Sequence, residues 1–313
     1  MKKGIKRIDN TESEYKIYHL DSGLDKRCFD AGQEYAKVFH VFRNENGEDV
    51  LFKKTVHDLM ALSDVFHSKV AIVLGQPAAV NELAIGDYSA RGVISKIFSI
   101  DGDEIRQMSA DYKMDDRTLY YPNVVTTLNK WGMQKKESYP MTDLPRLNLE
   151  QFIRDRLKNE TPEFINEFIR VWLTSHVFGN MDTDRGHNLS YIKRNGLRLM
   201  APTFDNEAAI LFVRQSGNNM RNDPRIIEHD DMVFNRGLFP DNYAYLMKNH
   251  KQITEEYFDS LLALKNNPKF ADLCDFSGLE EFLRMSSSKL AGLSEDIFKG
   301  TKKRIDATTN REH

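Results

Sequence analysis

The stretch Gly179-Asn180-Met181-Asp182-Thr183-Asp184-Arg185-Gly186-His187-Asn188, followed by Ala201-Pro202-Thr203-Phe204-Asp205-Asn206-Glu207, decides how this chain is read. Each of these short polar turns follows an apolar run. Together they hold the carboxylates of Asp182, Asp184 and Asp205 and the amide of Asn188. Either segment alone reads as an ordinary turn, because Gly, Asn and Asp favour turns for local backbone reasons. The pair reads differently. Phosphoryl transfer from Mg-ATP needs one carboxylate to orient or deprotonate an acceptor hydroxyl, and a further carboxylate with an Asn to hold magnesium. Between the turns, Leu189-Ser190-Tyr191-Ile192, Asn195-Gly196 and Leu197-Arg198-Leu199-Met200 predict a short hairpin. Its entrance and exit lie at one end, so Asp184, Asn188 and Asp205 can converge on one metal-phosphate cluster.

Working upstream, Thr161-Pro162 supplies an N-cap and a first-turn proline. The helix that follows carries Phe164, Ile165, Phe168, Trp172, Leu173 and His176 and ends at Gly179. Leu147 to Asn159 predicts another helix. From about residue 105 the pattern reads as helical, and helices near 254–266 and 279–293 close the C-terminal part. The first hundred or so residues read as sheet-rich. A strand from Tyr35 to Phe42, an Asn-Gly turn within Asn44–Gly47 and a strand from Asp49 to Lys54 form a hairpin signature. A helix from about Leu59 to Leu74 ends at Gly75. Val80–Ile85 and Gly92–Phe98 then form a second antiparallel pair. The expected architecture is α+β, with a sheet-rich N-terminal lobe (1–102) and a helical C-terminal lobe (103–313).

Composition bounds the class. The chain has 313 residues, of which 40% are hydrophobic and 29% charged, as in a soluble globular protein. A formal charge of −3 gives no general attraction to nucleic acid or anionic membrane. Cys28 and Cys274 cannot build a disulfide framework or a cysteine metal site. No apolar run approaches the roughly 20 residues of a membrane helix, and the N-terminus lacks a signal-type apolar region. Cytoplasmic synthesis is expected, with secretion as an effector without a signal peptide left open. His176 reads as a packed helix residue and His187 as a loop-orienting donor, since neither has zinc-type spacing around it.

The segment Thr183-Asp184-Arg185-Gly186-His187-Asn188 resembles the TDRH-type catalytic loop of HipA-like and CtkA-like bacterial serine/threonine kinases. Ala201-Pro202-Thr203-Phe204-Asp205-Asn206 is similar to their metal-binding turn. A related loop and Asp-Asn turn occur in phosphatidylinositol 3- and 4-kinases. Ser63-Asp64, with Leu74-Gly75 downstream, looks like the family's Ser-Glu helix. The resemblance implies a bilobal protein-kinase-like fold that binds ATP and Mg2+. In it Asp184 is the catalytic base, with Asp182 as rival, and Asn188 and Asp205 hold the metal. It also implies that Lys53 reaches the ATP phosphates, with Asp64 as its ion-pair partner. Lys54 is the alternative to Lys53, because neighbouring strand residues face opposite sides and only one can enter the cleft.

This sequence departs from the family in three places. The family sets its Asn five positions after the base, whereas here the offset is 188 − 184 = 4 from Asp184 and 188 − 182 = 6 from Asp182. Asp64 stands where the family has Glu. No GxGxxG loop is present; Gly23 and Gly32 both precede the first hairpin, and one of them is the candidate for a looser phosphate-covering turn. The implied activity is phosphorylation of a Ser or Thr hydroxyl on a protein substrate, with no nucleic-acid partner and no stable membrane insertion. A bacterial effector or toxin role fits the resemblance. Phosphoinositide phosphorylation, AMP transfer and a catalytically impaired nucleotide-binding pseudokinase are the competing readings. Arg214 to Arg225 reads as a flexible loop with Ser216 as a candidate phosphosite.

Overall fold

The computed structural model describes residues 6–8, 14–20, 27–29, 39–43, 49–55, 57–86, 90–96, 103–114, 116–119, 147–180, 183, 186, 188–203 and 240–309. Seven strands form one sheet: β1 (Lys6–Ile8), β2 (Ile17–His19), β3 (Arg27–Phe29), β4 (Phe39–Arg43), β5 (Asp49–Lys54), β6 (Asn81–Ile85) and β7 (Arg91–Lys96). Their spatial order is β1-β2-β6-β7-β5-β4-β3, antiparallel throughout except for the parallel pair β2 and β6. The expected hairpin is β4–β5, with Phe42 opposite Val50, and the expected second pair is β6–β7. Gly92 lets β7 approach β5 closely. A Cβ there would lie 2.1 Å from the Lys53 carbonyl oxygen, so no larger residue fits this register.

Helix α1 (Asp58–Val73) connects β5 to β6. Apolar residues at helical spacing, among them Leu59, Leu62, Phe66 and Val70, are all buried. Polar Ser63, Asp64, His67 and Ser68 are buried too, so the helix is enclosed on nearly all sides. It ends in a Schellman arrangement. Gly75 adopts φ +70°, its N–H bonds to Ile72 O, and the Gln76 N–H bonds to Ala71 O, each at 2.9 Å.

The second lobe begins with a departure from expectation. Residues 104–107, read from sequence as the start of a helical region, form strand β8 (Glu104–Gln107), and only α2 (Met108–Asp111) is helical there. All four β8 residues are exposed, so no apolar alternation marks the strand; its pairing with β9 makes it. The expected hairpin is β9 (Ser190–Arg194) and β10 (Leu197–Met200), turning through Asn195 (φ +51°) and Gly196 (φ +79°).

Around this sheet pack α3 (Leu149–Arg156), α4 (Pro162–Val177), α5 (Pro240–Asn249), α6 (Lys251–Asn266), α7 (Pro268–Leu273), α8 (Glu280–Leu283) and α9 (Ser287–Thr309). Thr161 caps α4 by accepting from Phe164 N at 3.2 Å, with Pro162 in the first turn. Phe168 and Trp172 on α4 are fully buried beside Phe258 and Leu261 of α6 and Ile297 and Ile305 of α9. Each such side chain contributes about 2–3 kcal/mol of burial. The helix expected over 279–293 is two helices: the chain breaks at Arg284 (φ +52°), and α9 starts among serines and runs on to Thr309.

The lobes meet along α1. Phe66 packs edge-on against Phe178 at 6.1 Å and Phe276 at 6.4 Å. Tyr15 meets Phe276 at 5.5 Å and donates its hydroxyl to Leu273 O at 2.5 Å. Arg91 donates to Glu281 O at 3.0 Å. The small helices α7 and α8 thus brace the N-terminal sheet and its helix.

Candidate active site

Strand register places the first element of the site. Lys53 pairs across to Val93, and Val93 to Leu83, in one row of the sheet. Leu83 and Val93 belong to the core that includes α1, so this row faces the helix. Val50, Phe52, Ala84 and Ile94 form a separate small core with Leu20. Lys53 is therefore directed toward α1, where its Nζ lies 2.5 Å from Asp64 Oδ2. Lys53 is 7% and Asp64 1% exposed, whereas Lys54 is exposed. Strand alternation separates the two lysines as the sequence required, and the buried one is Lys53.

Burying a charge without a partner is expensive, so a buried lysine and carboxylate in contact hold each other in place. The Asp64 carboxylate has a second partner that sequence reasoning missed. Asn81 Nδ2 donates to Asp64 Oδ1 at 3.1 Å, and the Ser95 hydroxyl donates to Asn81 Oδ1. A signal for Asn81 was present in the sequence. It lies in phase with Leu83 and Ile85 on β6, where an amide interrupts an apolar row.

The second element is the β9–β10 hairpin with the described residues that flank it. Thr183 and Gly186 are buried, and the Gly186 N–H bonds to Thr183 O at 2.9 Å. Gly186 adopts φ +69°, and a Cβ there would stand 2.6 Å from Met114 Sδ. Gly186 thus stands tightly against Met114, in the segment after α2. Asn188 is half-buried, two residues before β9. On the other side of the hairpin the Ala201 N–H bonds to Ser190 O at 2.9 Å, so Asn188 and Thr203 leave the hairpin at the same end. Asp182, Asp184, His187 and Asp205 lie outside the described residues, as do Gly23, Gly32 and the 214–225 segment.

The chain entering Asp205 is tied to the first lobe. Ala78 and Thr203 form a parallel bridge, with Ala79 N–H to Thr203 O and Thr203 N–H to Pro77 O, both at 3.0 Å. That contact stands three residues before Asn81. The buried Thr203 hydroxyl has no hydrogen-bond partner among the described residues. Nor do the described residues include any cluster of three or more His, Cys, Asp or Glu able to hold a metal. His176 is a packed helix residue. Its ring lies 3.8 Å from that of Trp172 and its Nδ1 is 3.1 Å from Trp172 O. No helix among the described residues is long and apolar enough to cross a membrane.

A mostly antiparallel sheet carrying a buried Lys, a helix supplying its carboxylate partner, and a helical lobe holding the β9–β10 hairpin make up a bilobal, protein-kinase-like α+β fold. The chain is similar over almost its whole length to the crystal structure of the Helicobacter pylori proinflammatory kinase CtkA. The TM-score is 0.53 at 16% identity, covering 92% of this chain and 96% of that one. Weaker likenesses are to HipA of Shewanella oneidensis MR-1, in its complex with HipB and operator DNA (TM-score 0.39, 12% identity, 91% of this chain and 65% of that one), and to the Golgi casein kinase with Mn/ADP bound (0.38, 11%, 99% and 74%). Those two scores are too low to define a shared fold. No family model and no curated protein matches the chain.

Proposed function

We propose that this protein is an ATP- and Mg2+-dependent phosphotransferase that phosphorylates Ser or Thr hydroxyls on a protein. The observation that carries the reading is the buried Lys53–Asp64 pair, set between sheet and helix on a kinase-like fold. In such a fold the strand lysine meets the nucleotide phosphates, and the helix carboxylate keeps it in place.

In this reading Lys53 orients the phosphates, and Asp184 accepts the proton of the attacking hydroxyl, with Asp182 as its rival. Asn188 and Asp205 supply hard oxygen donors of the kind magnesium prefers. The described part fits: Asn188 and the chain entering Asp205 leave the hairpin at one end, and Ala78 links that end to the lobe carrying Lys53. Magnesium, when bound, would neutralise charge on the phosphates. The chain's own contribution is to fix the lysine, align the acceptor hydroxyl with the transferred phosphorus and take up its proton. The acceptor is proposed to be a protein rather than a nucleic acid or a lipid head group, since the net charge of −3 offers no general attraction to polyanions.

Replacing Asp205 tests the metal assignment. Asp205→Ala should abolish transfer and leave the melting temperature close to that of the wild type, because a turn carboxylate adds little to a core. Full activity of this variant would sink the assignment. Comparing Asp184→Asn with Asp182→Asn identifies the base, as only the true base should cost several orders of magnitude in kcat.

A further inference from the structure

Two polar side chains beside the lysine, Asn81 (buried) and Ser95 (partly buried), have no part in the chemistry proposed above. Adjoining the Lys53–Val93–Leu83 row is the row Leu51–Ser95–Asn81, on the same face of the sheet. Asn81 is 1% exposed and sits at the start of β6. An amide there adds nothing to apolar packing, and its desolvation must be offset by hydrogen bonds. Those bonds are specific. An ionised carboxylate only accepts, so the amide nitrogen must face Asp64, and the Ser95 hydroxyl donates to the amide oxygen on the other side. Asp64 therefore has one oxygen on Lys53 and the other on Asn81. A carboxylate held at both oxygens cannot rotate without losing a partner. An Asp reaches one methylene less far than a Glu, so a small rotation would carry it out of range of Lys53.

We propose that Asn81 is the positioning residue of the phosphate-binding lysine. Through Asp64 it fixes where Lys53 Nζ stands, and Ser95 fixes the amide that does so. Asn81 also closes a short backbone link, since Ala78, three residues upstream, bridges Thr203 on the way to Asp205. The lysine ion pair and the start of the proposed metal turn thus share one segment, residues 77–81. This inference rests on the nucleotide reading of the cleft.

The test is calorimetric titration of the full chain with MgATP, which reads binding independently of turnover. The wild type, Asn81→Ala, Ser95→Ala, Lys53→Met and the double variant Asn81→Ala/Lys53→Met are compared. Losing one hydrogen bond to a charged group should weaken MgATP binding about tenfold in Asn81→Ala. Ser95→Ala, a small change at a partly buried strand position, should weaken it less while melting close to the wild type. In the Lys53→Met background Asn81→Ala should cost nothing more, because its route to the nucleotide is already gone. Losses that multiply in the double variant would show that Asn81 acts apart from Lys53 and would overturn the proposal. Unchanged affinity in Asn81→Ala would do the same, and if that variant does not fold, unchanged affinity in Ser95→Ala decides against it. A wild type that binds no MgATP overturns the nucleotide reading and this inference with it; a wild type that binds while the variants match it overturns the inference alone.

Discussion

Lys53 Nζ lies 2.5 Å from Asp64 Oδ2, with both residues almost wholly removed from solvent. Removing one member of a buried pair leaves the other uncompensated, at a cost of about 3–5 kcal/mol. Lys53→Ala should therefore lose stability on that scale in urea denaturation as well as activity. Lys54→Ala, one residue away with an exposed side chain, should stay within about 0.5 kcal/mol of the wild type. Equal effects of the two substitutions would show that the lysines have been assigned to the wrong faces.

Gly92 should tolerate no side chain. Its missing Cβ would stand 2.1 Å from Lys53 O, and the nearest atoms are backbone that cannot swing aside. Gly92→Ala is expected to cost about 3 kcal/mol as the β5–β7 pairing gives way. Because the strand that moves carries Lys53, nucleotide affinity should fall with it. An alanine variant as stable as the wild type in urea would contradict this close approach.

Gly186 combines a left-handed backbone with contact against Met114. Gly186→Ala should lose about 1–2 kcal/mol from the left-handed conformation alone, and more from the collision with the methionine. Met114 is itself a buried core residue, so the collision is read from a double-mutant cycle: Met114→Ala should cost less in the Gly186→Ala background than on its own. Strictly additive losses would place the strain elsewhere.

His67 is fully buried on α1, edge-on to Phe178 at 5.6 Å, and neither ring nitrogen has a hydrogen-bond partner among the described residues. Burial alone lowers its pKa from 6.5 to about 4. The unfolded chain then binds a proton that the folded chain refuses. Stability is intact above about pH 6.5 and falls as pH drops toward 4, by up to about 3 kcal/mol. His67→Phe should flatten the melting temperature across that window. A variant with the same pH slope as the wild type would assign the dependence to another group.

The elements legible in the sequence were those with a local signature. Thr161-Pro162 opened α4, Asn195-Gly196 turned the β9–β10 hairpin, and Gly75 closed α1 in a left-handed conformation. Alternation along β5 reduced the lysine choice to two residues, and the pairing of β5 with β7 separates them. What stayed hidden depends on distant partners. The strand β8 is exposed at every residue and exists because β9 lies beside it. The break between α8 and α9 needs Arg284 in a left-handed conformation, which nothing about an arginine announces. The expected run across 279–293 missed it, although Ser286-Ser287-Ser288 marks a helix start. The role of Asn81 needs the register of β6, β7 and α1 together, which no single segment contains.

The most direct measurement is phosphate transfer from γ-32P-labelled ATP by the purified full chain, with and without Mg2+, onto itself and onto casein as a Ser/Thr-rich acceptor. The account predicts acid-stable label on serine or threonine, ADP formed in step with it, and loss of both on chelating the metal or in Asp205→Ala. Label-free protein that binds MgATP yet forms no ADP, with the wild type indistinguishable from Asp205→Ala, would contradict it.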